Sequence, residues 1–248
     1  MLYKQENITL VDEVRKTGRG NRVWIEILKF LAVLTPINLI MVFAGEAIKA
    51  ALFQKSVINE EISMIIQLYE CALGIGLVVL YCCSIEKRTF MSMGFMKRHV
   101  CKQYIKGACV GAMLISALVW MGVLFNTFIF NGFNVNLDKK SIFLFLGGFL
   151  LQGFYEELVF RGFFMISIIR KNTIFVAVMV NSILFGLTHG FNNGFQVLAL
   201  LNLILFGIFE SIYLLKTGNI WGISAIHSMW NFIQGNIYGF NVSGMAQS

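Results

Sequence analysis

The sequence predicts an all-α protein: a polytopic membrane helical bundle with about seven to eight transmembrane helices. Hydrophobic residues make up 57% of the 248 residues, only 13% are charged, and the mean hydropathy is +0.73. A soluble globular domain has about 25% charged residues. The apolar runs are close to the ~20 residues that a helix needs to cross a bilayer. A single proline in the whole chain also favours long, unbroken helices.

The apolar runs divide the chain into an N-terminal segment, two membrane regions and a tail. Residues 1–22 are polar and mixed in charge, with room for a short interfacial helix. Residues 23–140 hold the first three predicted spans, 141–240 hold the other four, and 241–248 form the tail. An eighth element would fit around residues 191–194. The seven spans are predicted near residues 24–45, 62–83, 105–130, 142–166, 173–190, 195–215 and 219–238.

The distribution of Lys and Arg predicts the orientation of these spans. Residues 1–22 and the loop at 84–104 carry five each, whereas the connections at 46–61 and 131–141 carry two each. Short cytoplasmic loops hold an excess of Lys and Arg, so the N-terminus is predicted to be cytoplasmic. The net charge of +7 therefore indicates topology and contact with anionic lipid, and nucleic acid is not an expected partner. No cleavable signal or transit segment is visible, which favours the plasma membrane of a prokaryote.

Charged residues also occur in the second membrane region, where burying a charge in the bilayer is energetically unfavourable. Only seven charged side chains lie within residues 142–248, and a charge at bilayer depth costs several kcal/mol unless it is paired or hydrated. Glu157 and Arg161 have the i,i+4 spacing of an ion pair. Glu156 lies about 100° away around the same helix and has no local counter-ion. We therefore expect Glu156 to act as a general base, supported by Glu157 and Arg161. A structural ion pair that locks two helices is the alternative.

Two histidines and an asparagine follow on later spans. His189 ends the fifth predicted span, and His227 and Asn231 share one helix face four residues apart. Imidazole and amide groups both donate hydrogen bonds, and two donors on one face can stabilise an oxyanion. Each has an alternative as a hydrogen-bonded packing residue. Glu210, also within an apolar run, could pair with Arg161 or line a cavity.

The sequence also disfavours two familiar protease types. It contains no H-E-x-x-H pattern, so the zinc-binding helix of that class is missing. Gly222, Ile223 and Ser224 form a G-x-S sequence, but the histidine that follows it, His227, lies three residues on along the same helix. A membrane serine protease with its serine and histidine on separate helices is therefore disfavoured.

Together these residues resemble the CPBP family of CAAX proteases and bacteriocin-processing intramembrane proteases, also called the Abi family. The motifs occur in the family's order, on successive predicted helices, over roughly residues 140–240. They are E-E-x-x-x-R at Glu156, Glu157 and Arg161, F-x-x-x-H at Phe185 and His189, and H-x-x-x-N at His227 and Asn231.

The resemblance implies a helical membrane fold of about eight helices and a peptidase activity. Glu156 and His189 would activate the attacking water, and His227 and Asn231 would form the oxyanion hole. The family is often described as metalloproteases, so a divalent metal such as zinc is the one cofactor considered. The two histidines with Glu156 or Glu157 are a small ligand set for zinc, and no cofactor is certain.

We therefore expect an intramembrane endopeptidase that hydrolyses a peptide bond in a small membrane-bound or amphipathic peptide. Leader peptides, bacteriocins and signalling peptides are such substrates in bacterial relatives. The expected partners are this peptide substrate and membrane lipid. The alternative is a non-catalytic bacteriocin-immunity or sensor-partner protein of the same fold. A transporter is disfavoured, because no pair of broken helices and no two-halves repeat is visible.

Overall fold

The computed structural model describes residues 10–16, 20–53, 58–129, 132, 138–191 and 197–242. The described residues contain helices and no strand, which confirms the all-α prediction. Residues 192–194, where an eighth element would fit, lie outside the described residues, as do residues 1–9 and most of the predicted tail.

The described residues form nine α-helices, and the last of them lies against two others. The helix α9 packs between α4 and α5. The helix α2 packs onto α3, which in turn packs onto α5, and α7 packs onto α8. The helices are α1 (Leu10–Arg15), α2 (Val23–Phe53), α3 (Glu60–Ser84), α4 (Val100–Leu124), α5 (Lys139–Glu157), α6 (Ile166–Ile169), α7 (Ile174–Thr188), α8 (Val197–Thr217) and α9 (Ile220–Phe232).

Each of the seven predicted spans overlaps a helix, but the helices differ in length. Among the described residues, five stretches are long and apolar enough to cross a bilayer: α2, α3, α4, α8 and the continuous run from α5 through α6. With 15 and 13 residues, α7 and α9 are shorter than the ~20 residues of a full span. Most of α9 is buried inside the bundle. The protein is therefore a multi-pass helical membrane protein whose short helices lie among longer ones.

Glycines allow α9 to approach its neighbours closely. A Cβ at Gly107 or Gly111 of α4 would overlap the backbone carbonyls of Gly222 and Ile226 in α9. From the other side, a Cβ at Gly153 of α5 would overlap the next turn of α9. Small residues at such contacts are a general device of membrane helix packing. They fix the helix that carries the H-x-x-x-N motif on two sides.

Directly after α5 the helix widens into a π-helix at Leu158–Met165, which contains Arg161. The fully buried side chain of Arg88, from the connection between α3 and α4, donates hydrogen bonds to the carbonyls of Gly162 (3.1 Å) and Phe163 (3.2 Å). A π-helix is rare and occurs often at functional sites. Here a side chain from the N-terminal membrane region holds it in place.

Glu86 joins the same connection to both membrane regions. Its carboxylate pairs with Lys29 of α2 (2.6 Å), with Arg88 (2.7 Å) and with Arg170 after α6 (3.1 Å). Burial works to raise the pKa of Glu86, but the three cations outweigh it and leave that pKa below its usual value. This ionised cluster fixes α2 against the end of α6.

Candidate active site

The structure brings the six predicted site residues together in the interior of the bundle. They come from α5, from the π-helix, from the C-terminal end of α7 and from α9. In the fold α5 contacts both the π-helix and α9, and α7 contacts the π-helix. The six residues are Glu156, Glu157, Arg161, His189, His227 and Asn231. Their catalytic roles stay predictions.

Glu156 faces both histidines. Its Oε2 atom lies 3.9 Å from His189 Nε2 and 3.7 Å from His227 Nε2. This oxygen is shielded from solvent and accepts no hydrogen bond from any residue that the structure describes. A buried carboxylate oxygen without a partner is unfavourable unless something else binds there. A water molecule or a substrate group that donates a hydrogen bond to Oε2 would satisfy this oxygen.

Hydrogen bonds at the Nδ1 atoms of the two histidines determine which ring nitrogens face Glu156. His189 Nδ1 lies 2.9 Å from the carbonyl oxygen of Phe185, and His227 Nδ1 lies 2.8 Å from Glu157 Oε1. Carbonyl and carboxylate oxygens only accept, so we assign a hydrogen to each Nδ1. The Nε2 atoms then point toward Glu156. Each can accept a hydrogen bond from a water molecule or a substrate group beside Glu156.

Phe185 explains why a phenylalanine precedes the histidine in the second motif. Its ring centroid lies 4.8 Å from that of His189 and 4.4 Å from the guanidinium carbon of Arg161. The second distance is that of a cation–π contact, which is worth about 2 kcal/mol when desolvated. One aromatic ring thus orients the histidine and supports the buried cation.

Arg161 is shared by two carboxylates. Its Nη1 atom lies 2.9 Å from Glu157 Oε1, and its Nη2 atom lies 3.0 Å from Glu210 Oε2 of α8. All three side chains have no solvent exposure. The ion pair with Glu157 is local, whereas Glu210 comes from a different helix. When both carboxylates are ionised, this cluster has one negative charge in excess, beside His227.

Gln152 is a site residue that the sequence analysis missed. Its Nε2 donates to Glu156 Oε1 (2.5 Å), and its Oε1 accepts from Asn231 Nδ2 (2.9 Å). This chain of hydrogen bonds links α9 to the proposed base and leaves the second Nδ2 hydrogen of Asn231 free to donate elsewhere. Its position four residues before Glu156, on the same helix face, was the available signal.

A cavity of 610 Å³ leads to Glu156 and His189, and the N-terminal region forms much of its wall. No site residue was predicted in that region from the sequence. The polar residues that interrupt the first two predicted spans were the signal. On α2 and α3 the polar lining residues are Asn38, Glu46, Lys49, Gln67 and Glu70.

One group of ionisable side chains does not fit a divalent metal. Glu157, Glu210 and His227 offer ligand atoms within 4.8 Å of one another. Arg161 already pairs with both carboxylates, and His227 Nδ1 is hydrogen-bonded to one of them. Glu156, His189 and His227 are the ligands considered from the sequence, but these three are not among the groups of described residues whose ligand atoms all lie within 4.8 Å of one another, so a three-ligand zinc site is not preformed there.

A helical membrane bundle in which a carboxylate lies close to two histidines, beside a cavity lined by Glu156 and His189, has the features of an intramembrane hydrolase. Residues 138–233 match the family model described as type II CAAX prenyl endopeptidase Rce1-like. The match confirms the resemblance found from the three motifs. Over these residues the match supports a CPBP-family intramembrane protease, a peptidase of the CAAX-protease class. No curated protein and no solved structure matches the chain.

Proposed function

We propose that this protein hydrolyses a peptide bond in a small membrane-bound or amphipathic peptide, of the leader, bacteriocin or signalling type. The single observation that carries the proposal is the Oε2 atom of Glu156, which accepts no hydrogen bond from the described residues and faces two histidine nitrogens, with Glu156 and His189 in the wall of the cavity. We further propose that the protein works in the plasma membrane of a prokaryote, with its N-terminus in the cytoplasm.

Glu156 and His189 are suited to activate a water molecule. A water in the space between them can donate one hydrogen to Glu156 Oε2 and the other to His189 Nε2. Transfer of a proton to Glu156 makes this water a stronger nucleophile toward a peptide carbonyl. The proton can then pass to the leaving amine, which must be protonated as the C–N bond breaks. Gln152 keeps the carboxylate oriented through its bond to Oε1.

His227 and Asn231 are suited to stabilise the oxyanion that forms on the carbonyl oxygen. They lie on one face of α9, and Asn231 has an amide hydrogen beyond the one donated to Gln152. A proton on His227 Nε2 would balance the excess negative charge of the carboxylates that share Arg161. That nitrogen would then donate a charge-assisted hydrogen bond, which is stronger than a neutral one.

The metal-free route is the one that we favour. If a divalent ion binds, Glu156, His189 and His227 would hold it, and it would supply a Lewis acid for water activation. The residues around this set act in the same way in both cases: Glu157 orients His227, and Arg161 with Glu210 holds Glu157.

The cavity supports a peptide as the substrate. Its volume of 610 Å³ is in the range of small-ligand sites and admits a few extended residues rather than a folded domain. Its lining includes amides and charged groups on α2 and α3. Such groups suit the polar backbone of an unwound peptide segment, which must be satisfied at bilayer depth.

Replacing Glu156 by Gln tests this function, because it keeps the side-chain shape and removes the base. Cleavage of amphipathic leader-type peptides in proteoliposomes, followed by mass spectrometry, should fall roughly 10²-fold or more, with normal accumulation of the protein. Glu61→Gln, at the start of α3 and away from the cavity lining, is the matched control. Full activity of Glu156→Gln would exclude Glu156 as the base. No cleavage of any such peptide by the wild type would favour the non-catalytic alternative.

A further inference from the structure

The wall that α2 contributes to the cavity contains an amide that the proposed chemistry does not use. Asn38 lies midway along α2, among apolar residues, and its side chain lines the cavity with a large exposed fraction. At bilayer depth an unsatisfied polar group costs several kcal/mol, so a membrane helix keeps one mainly where it faces a cavity and binds something.

One end of the Asn38 amide is fixed by the helix that carries Glu156. The hydroxyl of Tyr155 donates a hydrogen bond to Asn38 Oδ1 at 2.7 Å. The ring of Tyr155 packs against Gly74 of α3, where a Cβ would lie 2.6 Å from its Cε2 atom. Tyr155 is therefore held in place from two sides, and it directly precedes Glu156 in the chain.

The other end of the same amide is left to donate. Because Oδ1 is the atom that accepts from Tyr155, both hydrogens of Asn38 Nδ2 are available, and Nδ2 has no partner in the part of the chain that the structure describes. Asn38, Tyr155 and Glu156 all line the same cavity. A peptide that reaches Glu156 through this cavity would therefore pass the free donor.

We propose that Asn38 is a substrate-binding residue, whose Nδ2 donates a hydrogen bond to a backbone carbonyl of the peptide beside the bond to be cleaved. A peptide must be extended to present one carbonyl to a water on Glu156, and unwinding leaves neighbouring carbonyls without helical partners. In the membrane such carbonyls need protein donors. Tyr155 is a positioning residue, which acts through Asn38 by holding Oδ1. The inference rests on the proposed function.

The competing explanation is that Asn38 and Tyr155 only join α2 to α5. The two roles use different atoms of the amide, so substitutions separate them. Asn38→Asp keeps an acceptor for the Tyr155 hydroxyl and removes both donor hydrogens, whereas Tyr155→Phe leaves the donor in place. Asn38→Leu removes both functions without adding a charge. Leu39→Ala is the matched control, since Leu39 is a neighbour that does not line the cavity.

The experiment measures KM and kcat for one amphipathic peptide in proteoliposomes. Asn38→Leu and Asn38→Asp should raise KM roughly five- to tenfold, the factor for one hydrogen bond, with kcat within about twofold. Tyr155→Phe should raise KM by a smaller factor of roughly two to three, since the donor remains but is less well oriented. The double variant Asn38→Leu/Tyr155→Phe should be no worse than Asn38→Leu, because Tyr155 acts through Asn38.

A structural role alone predicts a different pattern. Asn38→Asp would then match the wild type, while Tyr155→Phe and Asn38→Leu would lose stability equally, with KM unchanged; this result overturns the inference. Affinity of the Glu156→Gln protein for the same labelled peptide gives a second measurement that needs no cleavage. If that affinity falls five- to tenfold on Asn38→Leu, the inference stands even where the catalytic assignment fails. If Glu156→Gln abolishes cleavage but the Asn38 variants leave KM unchanged, the inference about Asn38 is wrong and the catalytic assignment of Glu156 stands.

Discussion

Replacing Arg161 by Ala should destabilise the protein more than any substitution at an exposed ion pair. The guanidinium pairs with Glu157 at 2.9 Å and with Glu210 at 3.0 Å, and none of the three side chains is exposed. Its removal leaves two carboxylates side by side without their cation. It also removes the contact with the ring of Phe185. The folded state therefore loses one cation that contacts Glu157, Glu210 and Phe185.

The expected magnitude follows from these contacts. Breaking a buried pair by removing one partner costs about 3–5 kcal/mol, because the remaining charge is left uncompensated. At about 1.4 kcal/mol for each factor of ten, the ratio of folded to unfolded protein should fall by roughly two to three and a half orders of magnitude. Since whole proteins are stable by only about 5–15 kcal/mol, the folded yield should fall as well as the activity.

Unfolding in mixed micelles, followed by circular dichroism against the mole fraction of SDS, measures this loss. Lys16→Ala, which breaks an exposed pair with Glu13, is the control and should change stability by less than about 1 kcal/mol. Adding Glu210→Gln to Arg161→Ala should restore more than about 1 kcal/mol, since it removes one unpaired carboxylate while Glu157 keeps its bond from His227. The reasoning is refuted if Arg161→Ala is as stable as the wild type, or if the double variant is less stable than the single one.

Two further predictions separate chemistry from support. Asn231→Ala should lower kcat by roughly 10²-fold with nearly normal folded yield, because it removes an oxyanion donor; low yield with normal specific activity would show that its role is structural. Purified, active protein should keep its activity after exhaustive chelation, with far less than one metal ion per chain by elemental analysis. Stoichiometric zinc that is lost together with activity in His189→Ala would instead assign Glu156 and the histidines as ligands.

Local patterns in the sequence were sufficient for the fold class and for part of the site. A bilayer imposes a helix length, so long apolar runs predict spans directly. The pair of Glu157 and Arg161 is likewise local, since residues four apart on a helix always lie on one face. The span predicted at 219–238 is longer than α9, because the chain beyond Phe232 continues as a π-helix at Ile233–Ile237.

Contacts between distant helices account for what the sequence analysis missed. Gln152 meets Asn231 across 79 positions, and nothing in the α5 sequence indicates that partner. The same holds for Glu210, whose partner was left open, and for Asn38, which needs Tyr155 of another helix to be fixed. Polar residues in predicted spans mark such positions but do not identify their partners.

The two carboxylates on Arg161 also bear on how the chain enters the membrane. Glu157 can neutralise Arg161 as soon as their own helix forms, which leaves Glu156 as the unpaired charge at this turn. Glu210 has no cation on α8 near it, and a lone acidic residue at the centre of an inserting helix opposes insertion by about 2.5–3.5 kcal/mol. Insertion of α8 is therefore favoured once Arg161 is already in place to receive Glu210. The order of biogenesis thus follows from which acidic residue has its cation on the same helix.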